Sequence, residues 1–280
     1  MKGLSLGGDI KRCAESGEGY RFDDIMLYPV TVRDYAMFYA CSSALTLRMS
    51  MLPVKYAVMS YAEAIFSMAL DQEIIERHDE YCTCFAKFMH LLAMSMHVTV
   101  DAFELIVDAN DRNKLKAIVV KQETSELGED LVRLETGKLG QIRKIIATLN
   151  GKDLPDEADN TELIEAEDAI HAIGVTTLKA DLSDLKASVA AYYKVRIREL
   201  NDWTIYEFEK ARSAIERMTR CVICGIGESG GMVKWEKGNP FPSLFFDRER
   251  ENDALIDMAD FQRKMGGAVA TVDDMPNMPV

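Results

Sequence analysis

The feature that most constrains the fold is a long apolar stripe between residues 74 and 96. Its members recur at steps of three and four positions, which is the spacing of one face of an α-helix. The members are Ile74, His78, Tyr81, Phe85, Phe88, Leu92 and Met96. Asp71 stands where this helix can begin. The stripe therefore predicts a helix with one face buried against other helices.

Two further helices are predicted before the stripe. Thr31 can cap a helix, with Asp34 three residues later as its capping-box partner. Pro53 can open another helix, which we expect to run from Val54 to about Leu70. Together with the stripe, these segments predict an α-helical bundle up to about residue 97.

The pattern changes after this bundle. Residues 102–110 and 115–122 have the apolar and β-branched composition of strands, and the turn-forming residues 111–114 lie between them. This arrangement predicts a β-hairpin. A short helix is expected to follow over residues 139–149.

Residues 150–168 hold eight acidic residues and one lysine. Gly151 and Pro155 interrupt helical structure there, and a run of like charges remains solvated, so that we expect a linker. The run could also bind a cation, but it lacks the residue spacing of a calcium-binding loop. The linker interpretation divides the chain into two halves.

The second half is again predicted to be helical. Ser183 can cap a helix that runs through Tyr193, and Thr204 with Glu207 forms a second capping box. The helix that follows is expected to run from residue 205 to about 223, and a Gly-rich loop comes next. A last short helix is expected over 252–264.

The predicted fold class is mainly α: a helical bundle with a small β-hairpin, in two helical halves joined by an acidic linker. The predicted divisions are a flexible N-terminus over 1–19, a helical domain with the hairpin over 20–150, the linker over 151–168, a C-terminal helical domain over 169–265 and a frayed tail over 266–280.

Charge and cysteine usage restrict the partners and the compartment. The net charge is −13 and no basic patch is visible, which argues against nucleic acid as a partner. The first residues lack the apolar core of a signal peptide, and no apolar run reaches the length of about 20 residues that spans a membrane. We therefore expect no membrane partner, a cytoplasmic protein and reduced thiols at its six cysteines.

Short motifs give no convincing catalytic site. Cys221 and Cys224 form a C-x-x-C pair and are candidate metal ligands, but no second pair with zinc spacing accompanies them. Two small buried thiols at the end of a helix are the alternative. Residues 225–230 match G-x-G-x-x-G, yet a helix precedes them where a dinucleotide site needs a strand. The four histidines are best explained as core or rim residues, so we predict a non-enzymatic protein without cofactors.

The two tryptophans lie in segments whose apolar side chains must either be buried or contact a partner. Trp203 stands immediately before the capping threonine and can pack on Phe208 as a hydrophobic staple. Around the other tryptophan, aromatic and aliphatic residues are dense in a Gly- and Pro-rich segment, which must bury them or present them to a partner. The candidate partner-binding residues are Trp235, Phe241, Leu244, Phe245 and Phe246.

The second half resembles a known family in the order of its motifs. An isoleucine-rich helix (QIRKIIATLN) precedes the acidic run, and TIYEF, RCVICGI, SGGMVKW and PSLFFD follow in that order. These motifs, over residues 139–265, resemble a family of tailed phages and prophages of Gram-positive bacteria. Residues 28–35 (YPVTVRDY) also resemble sequences of this family. The sequence departs from the family pattern at Phe245 and Phe246, where that pattern has a tryptophan.

The resemblance implies a tail assembly chaperone, which keeps the long helical tape-measure protein in solution until the tail tube forms around it. It implies tape-measure or other tail proteins as partners, a possible homo-oligomer, and the host cytoplasm as the location. It implies no catalytic residues. The alternatives are a structural tail, baseplate or adaptor component of the phage particle and a small zinc-binding helical protein.

Overall fold

The computed structural model describes residues 6–77, 79–124, 128–152, 154 and 181–231. It is mainly helical with a small antiparallel sheet content, which confirms the predicted class at this level. The helices are α1 Leu6–Ser16, α2 Tyr35–Cys41, α3 Ser43–Thr46, α4 Val54–Ala57, α5 Tyr61–Leu70, α6 Gln72–Arg77, α7 Asp79–Cys82, α8 Cys84–Met96, α9 Thr136–Leu149, α10 Leu182–Tyr193 and α11 Ile205–Ser229. The strands are β1 Tyr20–Phe22, β2 Ile25–Leu27, β3 Phe103–Val107, β4 Leu115–Thr124 and β5 Gly128–Glu135.

The chain divides into two compact units, residues 1–215 and 216–280. Helices α10 and the first part of α11 therefore belong to the same unit as the N-terminal helices, and Phe208 of α11 is a fully buried member of that unit's core. The predicted linker over 151–168 lies for the most part outside the described residues, so that the predicted domain division stays a prediction.

The predicted β-hairpin is confirmed, and a third strand extends it. β3 pairs with β4 and β4 pairs with β5, both antiparallel, in the order β3-β4-β5. The third strand was missed although Val132 and Leu134 alternate with polar neighbours, which is a strand signal. Its partner β4 packs on α5 and α9, where Leu115, Ile118 and Val120 are buried.

The single helix predicted over residues 54–70 is wrong. It is divided into α4 and α5, and α5 begins at a capping box in which Ser60 is the N-cap. The carboxylate of Glu63 accepts hydrogen bonds from the Ser60 backbone N–H at 3.2 Å and from its hydroxyl at 2.7 Å. Because this box satisfies the free N–H groups of a new helix start, the chain changes direction there.

The apolar stripe is likewise divided among α6, α7 and α8, where one continuous helix was expected. The stripe nevertheless identifies the core, since Ile74, Phe85, Phe88, Leu92 and Met96 are all buried. His78 lies outside the described residues. Periodicity thus predicted which side chains are buried but not where the helices begin.

The segment 28–32 is hydrogen-bonded to two other parts of the chain. The backbone N–H of Tyr28 donates to the carbonyl of Ser95 at 2.7 Å, and that of Val32 donates to the carbonyl of Trp203 at 2.8 Å. The Ile205 N–H donates to the carbonyl of Val30 at 2.8 Å. These bonds fix the start of α11 against the N-terminal half.

The capping box predicted at Thr31 is wrong. Its side chain makes no cap hydrogen bond, and its backbone instead forms an antiparallel bridge with Thr204. A short 3₁₀ turn, Val32–Asp34, precedes α2. The Asp34 N–H, which a capping box would pair with the threonine hydroxyl, instead donates to the Thr31 carbonyl at 3.0 Å and closes the 3₁₀ turn.

Helix α9 starts earlier than predicted and carries two buried polar residues. The guanidinium of Arg143 donates to the carbonyls of Leu45, at 2.8 Å, and Leu47, and its carbon lies 4.3 Å from the ring centre of Tyr61. At the end of the helix, the fully buried Asn150 donates to the carbonyl of Ile146 at 2.8 Å. Both residues satisfy backbone groups that burial would otherwise leave unpaired.

The helices of the second half differ from expectation at their ends. Asp181 rather than Ser183 caps α10, since its carboxylate accepts from the Ser183 backbone N–H at 3.3 Å. The box at Thr204 is confirmed: the Glu207 N–H donates to the threonine hydroxyl at 3.1 Å, and the Glu207 carboxylate accepts from the Thr204 N–H at 2.8 Å. Helix α11 continues to Ser229. The prediction of a Gly-rich loop directly after residue 223 is therefore wrong, because the residues up to Ser229 are helical.

Candidate protein-binding surfaces

The aromatic residues that the sequence singled out cannot be placed. Trp235, Phe241, Leu244, Phe245 and Phe246 lie outside the described residues, as do the linker's acidic residues from 155 onwards and the helix predicted over 252–264. These predictions stay predictions. The described residues contain two other surfaces where apolar side chains meet solvent.

The first surface, which we call the aliphatic helix face, lies near the end of α11 in the second unit. It consists of Met218, Val222, Ile223 and Ile226. Positions 218, 222 and 226 follow one another at steps of four, so that their side chains line one side of the helix. Val222, Ile223 and Ile226 are exposed by 55%, 63% and 60%. Contiguous aliphatic side chains with this exposure are typical of a protein-binding surface.

The second surface is a cleft of about 670 Å³ in the first unit. It lies between α4, α5 and the start of α6 on one side and the β3–β4 turn on the other. The residues that line it are Lys55, Val58, Met59, Glu63, Ser67, Leu70, Asp71, Gln72, Asp111, Asn113 and Lys114. The Ser67 hydroxyl donates to the carbonyl of Asn113 at 3.2 Å, which connects α5 to the turn.

The apolar residues of the cleft, Val58, Met59 and Leu70, lie on its helix side, among the polar residues Lys55, Glu63, Ser67, Asp71 and Gln72. Val58 and Leu70 are exposed by 80% and 49%, and Val54, one helical turn before Val58, is also 80% exposed. Met59 lies beside them and packs partly on the core. The opposite side is polar and is formed by Asp111, Asn113 and Lys114 of the turn. The turn side is thus wholly polar, and the apolar lining is confined to the helix side.

The carboxylate of Asp71, at the end of the cleft, accepts three hydrogen bonds. Asp71 accepts from the ammonium of Lys55 at 2.7 Å and from the hydroxyl of Tyr56 at 2.5 Å, and its other oxygen accepts from the Glu73 backbone N–H at 3.0 Å. These hydrogen bonds hold the pKa of Asp71 well below its ordinary value, and the bond from Lys55 contributes most. The hydrogen bond to Asp71 in turn raises the pKa of Lys55. At neutral pH the two residues form an ion pair.

The candidate metal ligands Cys221 and Cys224 lie within α11, three residues apart and partly exposed. They were expected at a helix end as buried thiols, but the helix continues past them. Within the described ranges, no three His, Cys, Asp or Glu residues are grouped as a metal site would require. The zinc hypothesis stays a prediction.

Two of the histidines and Trp203 have packing roles in the fold. His97 adopts a left-handed conformation with φ 56° at the end of α8, and its ring stacks on Tyr28 with 4.5 Å between ring centres. His90 is partly buried on α8, and the other two histidines are not described. Trp203 packs edge-on against Tyr193, with 5.8 Å between ring centres.

In the part of the chain that the structure describes, none of the helices combines the length and hydrophobicity needed to cross a membrane. The sequence matches no protein-family model, and neither a curated protein nor a solved structure matches the chain. The two surfaces and the sequence motifs are therefore the basis for a functional assignment.

Sequence reasoning missed both surfaces. Val54 and Val58 share one helix face, but they were assigned to a longer helix that the structure divides. Val222, Ile223 and Ile226 were considered only as neighbours of the cysteines and glycines. The sequence shows aliphatic residues at helical spacing in both segments, but this spacing is the same for a buried and for an exposed helix face.

Proposed function

We propose that the protein is a non-enzymatic tail assembly chaperone of a tailed phage, which binds tape-measure protein in the host cytoplasm. The observation that carries the proposal is the aliphatic helix face on α11. It lies inside the region, residues 139–265, whose motifs resemble the chaperone family. A long apolar helical client needs a partner that covers its apolar side until assembly.

The physical properties of the face suit such a client. Each aliphatic side chain that is removed from water contributes about 1 kcal/mol or more, so that three or four of them provide reversible binding. Methionine adapts its shape to different neighbours, and Met218 extends the face. The net charge of −13 keeps chaperone molecules apart while they hold an apolar client. Trp235, Phe241, Leu244, Phe245 and Phe246 remain the partner-binding residues predicted from the sequence.

The proposal retains the predicted arrangement of two helical halves joined by the acidic linker over 151–168. Limited proteolysis tests this part, since cleavage concentrated within 151–168 is the expected result. Cleavage at the ends of α9 or α10 instead would contradict it.

Co-expression with the neighbouring long, coiled-coil-rich reading frame tests the function. We expect the long protein to become soluble and to co-purify with this chain. If the long protein stays insoluble and this chain is found in stoichiometric amounts in mature virions, the chaperone proposal is wrong and a structural role replaces it.

A further inference from the structure

The cleft of the first unit is a separate surface from the aliphatic helix face. We propose that the cleft binds a cationic amphipathic helix of a partner protein. This inference goes beyond the chaperone proposal and does not depend on it, because it rests on residues of α4, α5, α6 and the β3–β4 turn.

The shape and the apolar lining of the cleft favour a helix. Helix-in-groove binding needs an open apolar trough that takes side chains at steps of three and four. Val58, Met59 and Leu70 supply the apolar lining of the cleft, and the exposed Val54 lies one helical turn before Val58. The opposite side, formed by the β3–β4 turn, is polar. A helix with one apolar face and one polar face matches both sides.

The charges favour a cationic partner. Lys55 and Asp71 neutralise each other at 2.7 Å. The other charged groups that line the cleft are the carboxylates of Glu63 and Asp111 and the ammonium of Lys114. None of these three has an ion-pair partner among the described residues. The remaining balance is therefore one negative charge.

The charge of the whole chain acts in the same direction. A net charge of −13 attracts cationic segments and repels nucleic acids and acidic helices. Lys or Arg side chains on the polar face of a bound helix would reach Glu63 or Asp111 while their methylene stems rest on Leu70. Such exposed pairs set the preference among partners, and the apolar lining supplies most of the affinity.

Fluorescence anisotropy with synthetic peptides and the full chain tests the inference. The probes are two labelled helical peptides of about 14 residues with the same leucine face, one with lysine and one with glutamate on the polar face. We expect the Leu/Lys peptide to bind about threefold to tenfold more tightly than the Leu/Glu peptide. We expect Val58→Ser and Asp111→Asn each to weaken binding about threefold to tenfold.

Matched controls separate the cleft from general attraction. Asp101→Asn removes the same charge elsewhere, and Val222→Ser removes an aliphatic side chain from the aliphatic helix face, so neither is expected to change peptide affinity. Asparagine at 111 retains the acceptor for the Asn113 N–H, which lies 3.0 Å away, and the side chain of Val58 is exposed, so both variants should fold. Equal binding of both peptides, unchanged affinity in the cleft variants, or equal losses in the controls would each overturn the inference. Failure of the chaperone proposal would appear separately, in the co-expression assay.

Discussion

The side-chain oxygen of Asn150 accepts a hydrogen bond from the backbone N–H of Val30 at 2.8 Å, although the two residues are 120 positions apart. The amide nitrogen of Asn150 donates to the carbonyl of Ile146, so that one buried side chain joins the end of α9 to the segment 28–32. The same segment pairs with residues 203–205 before α11. Asn150 therefore stabilises the place where distant parts of the first unit meet.

Replacing Asn150 is expected to destabilise the fold strongly. Asn150→Ala leaves the buried Val30 N–H without its acceptor, which costs about 1–3 kcal/mol, and opens a small cavity in addition. Chemical denaturation measures the free energy of unfolding. Asn110→Ala, at an exposed position in the β3–β4 loop, is the control and should change it by less than about 0.5 kcal/mol. Equal effects of the two substitutions would contradict the role of Asn150.

Two threonines that occupy similar sequence contexts are expected to behave differently. Thr204→Ala removes the acceptor for the Glu207 N–H and should lower the free energy of unfolding by about 1 kcal/mol. Thr31→Ala should have a smaller effect, because the Thr31 side chain makes no cap hydrogen bond. Thermal denaturation of both variants provides the comparison. A larger loss at Thr31 than at Thr204 would show that the capping assignment is wrong.

Lys194 provides a stabilising substitution. It ends α10 in a left-handed conformation with φ 57°, and its exposed side chain faces the solvent. Lys194→Gly should raise the free energy of unfolding by about 0.5–1 kcal/mol, because glycine adopts this conformation without strain. His97→Gly is the comparison: φ is 56° there too, but the substitution also removes the stack on Tyr28 and should give a smaller gain or a loss. A destabilising Lys194→Gly would contradict this account.

The stability contributed by Asp71 is expected to depend on pH. Its pKa is lower in the folded than in the unfolded state, so the ionised form stabilises the fold above the ordinary aspartate pKa of about 3.9, and this contribution is lost as the pH falls through the folded-state value. Asp71→Asn should therefore destabilise the protein by a constant amount between about pH 6 and 8. The difference from the wild type should shrink below about pH 4. A difference that does not change with pH would exclude the ion pair with Lys55 as its cause.

The sequence predicted the helical class, the hairpin and most buried positions, because these depend on local periodicity. It did not predict the division at Ser60, since a capping box can restart a helix inside an unbroken apolar pattern. The backbone of Thr31 pairs with that of Thr204, and the buried amide of Asn150 accepts from the N–H of Val30. Contacts of this range leave no periodic signal.

The candidate surfaces were less predictable than the fold. The cleft combines Val58 and Leu70 with the turn residues 111–114, and only the packing of β4 on α5 brings these segments together. The exposed aliphatic residues of α11 have the same composition as buried ones, so the sequence alone could not distinguish the two. Their exposure in the folded unit is what distinguishes them from the buried aliphatic residues.

The most direct test of the chaperone proposal is a solubility assay of the tape-measure partner, co-expressed with variants of this chain. We expect the triple variant Val222→Ser, Ile223→Ser, Ile226→Ser to fold. It should lower the amount of soluble partner recovered about tenfold or more, because three aliphatic contacts are lost. Val58→Ser, in the cleft, should leave recovery unchanged. Full recovery with the triple variant would contradict the assignment of client binding to the aliphatic helix face, and an insoluble partner with the wild-type chain would contradict the chaperone function itself.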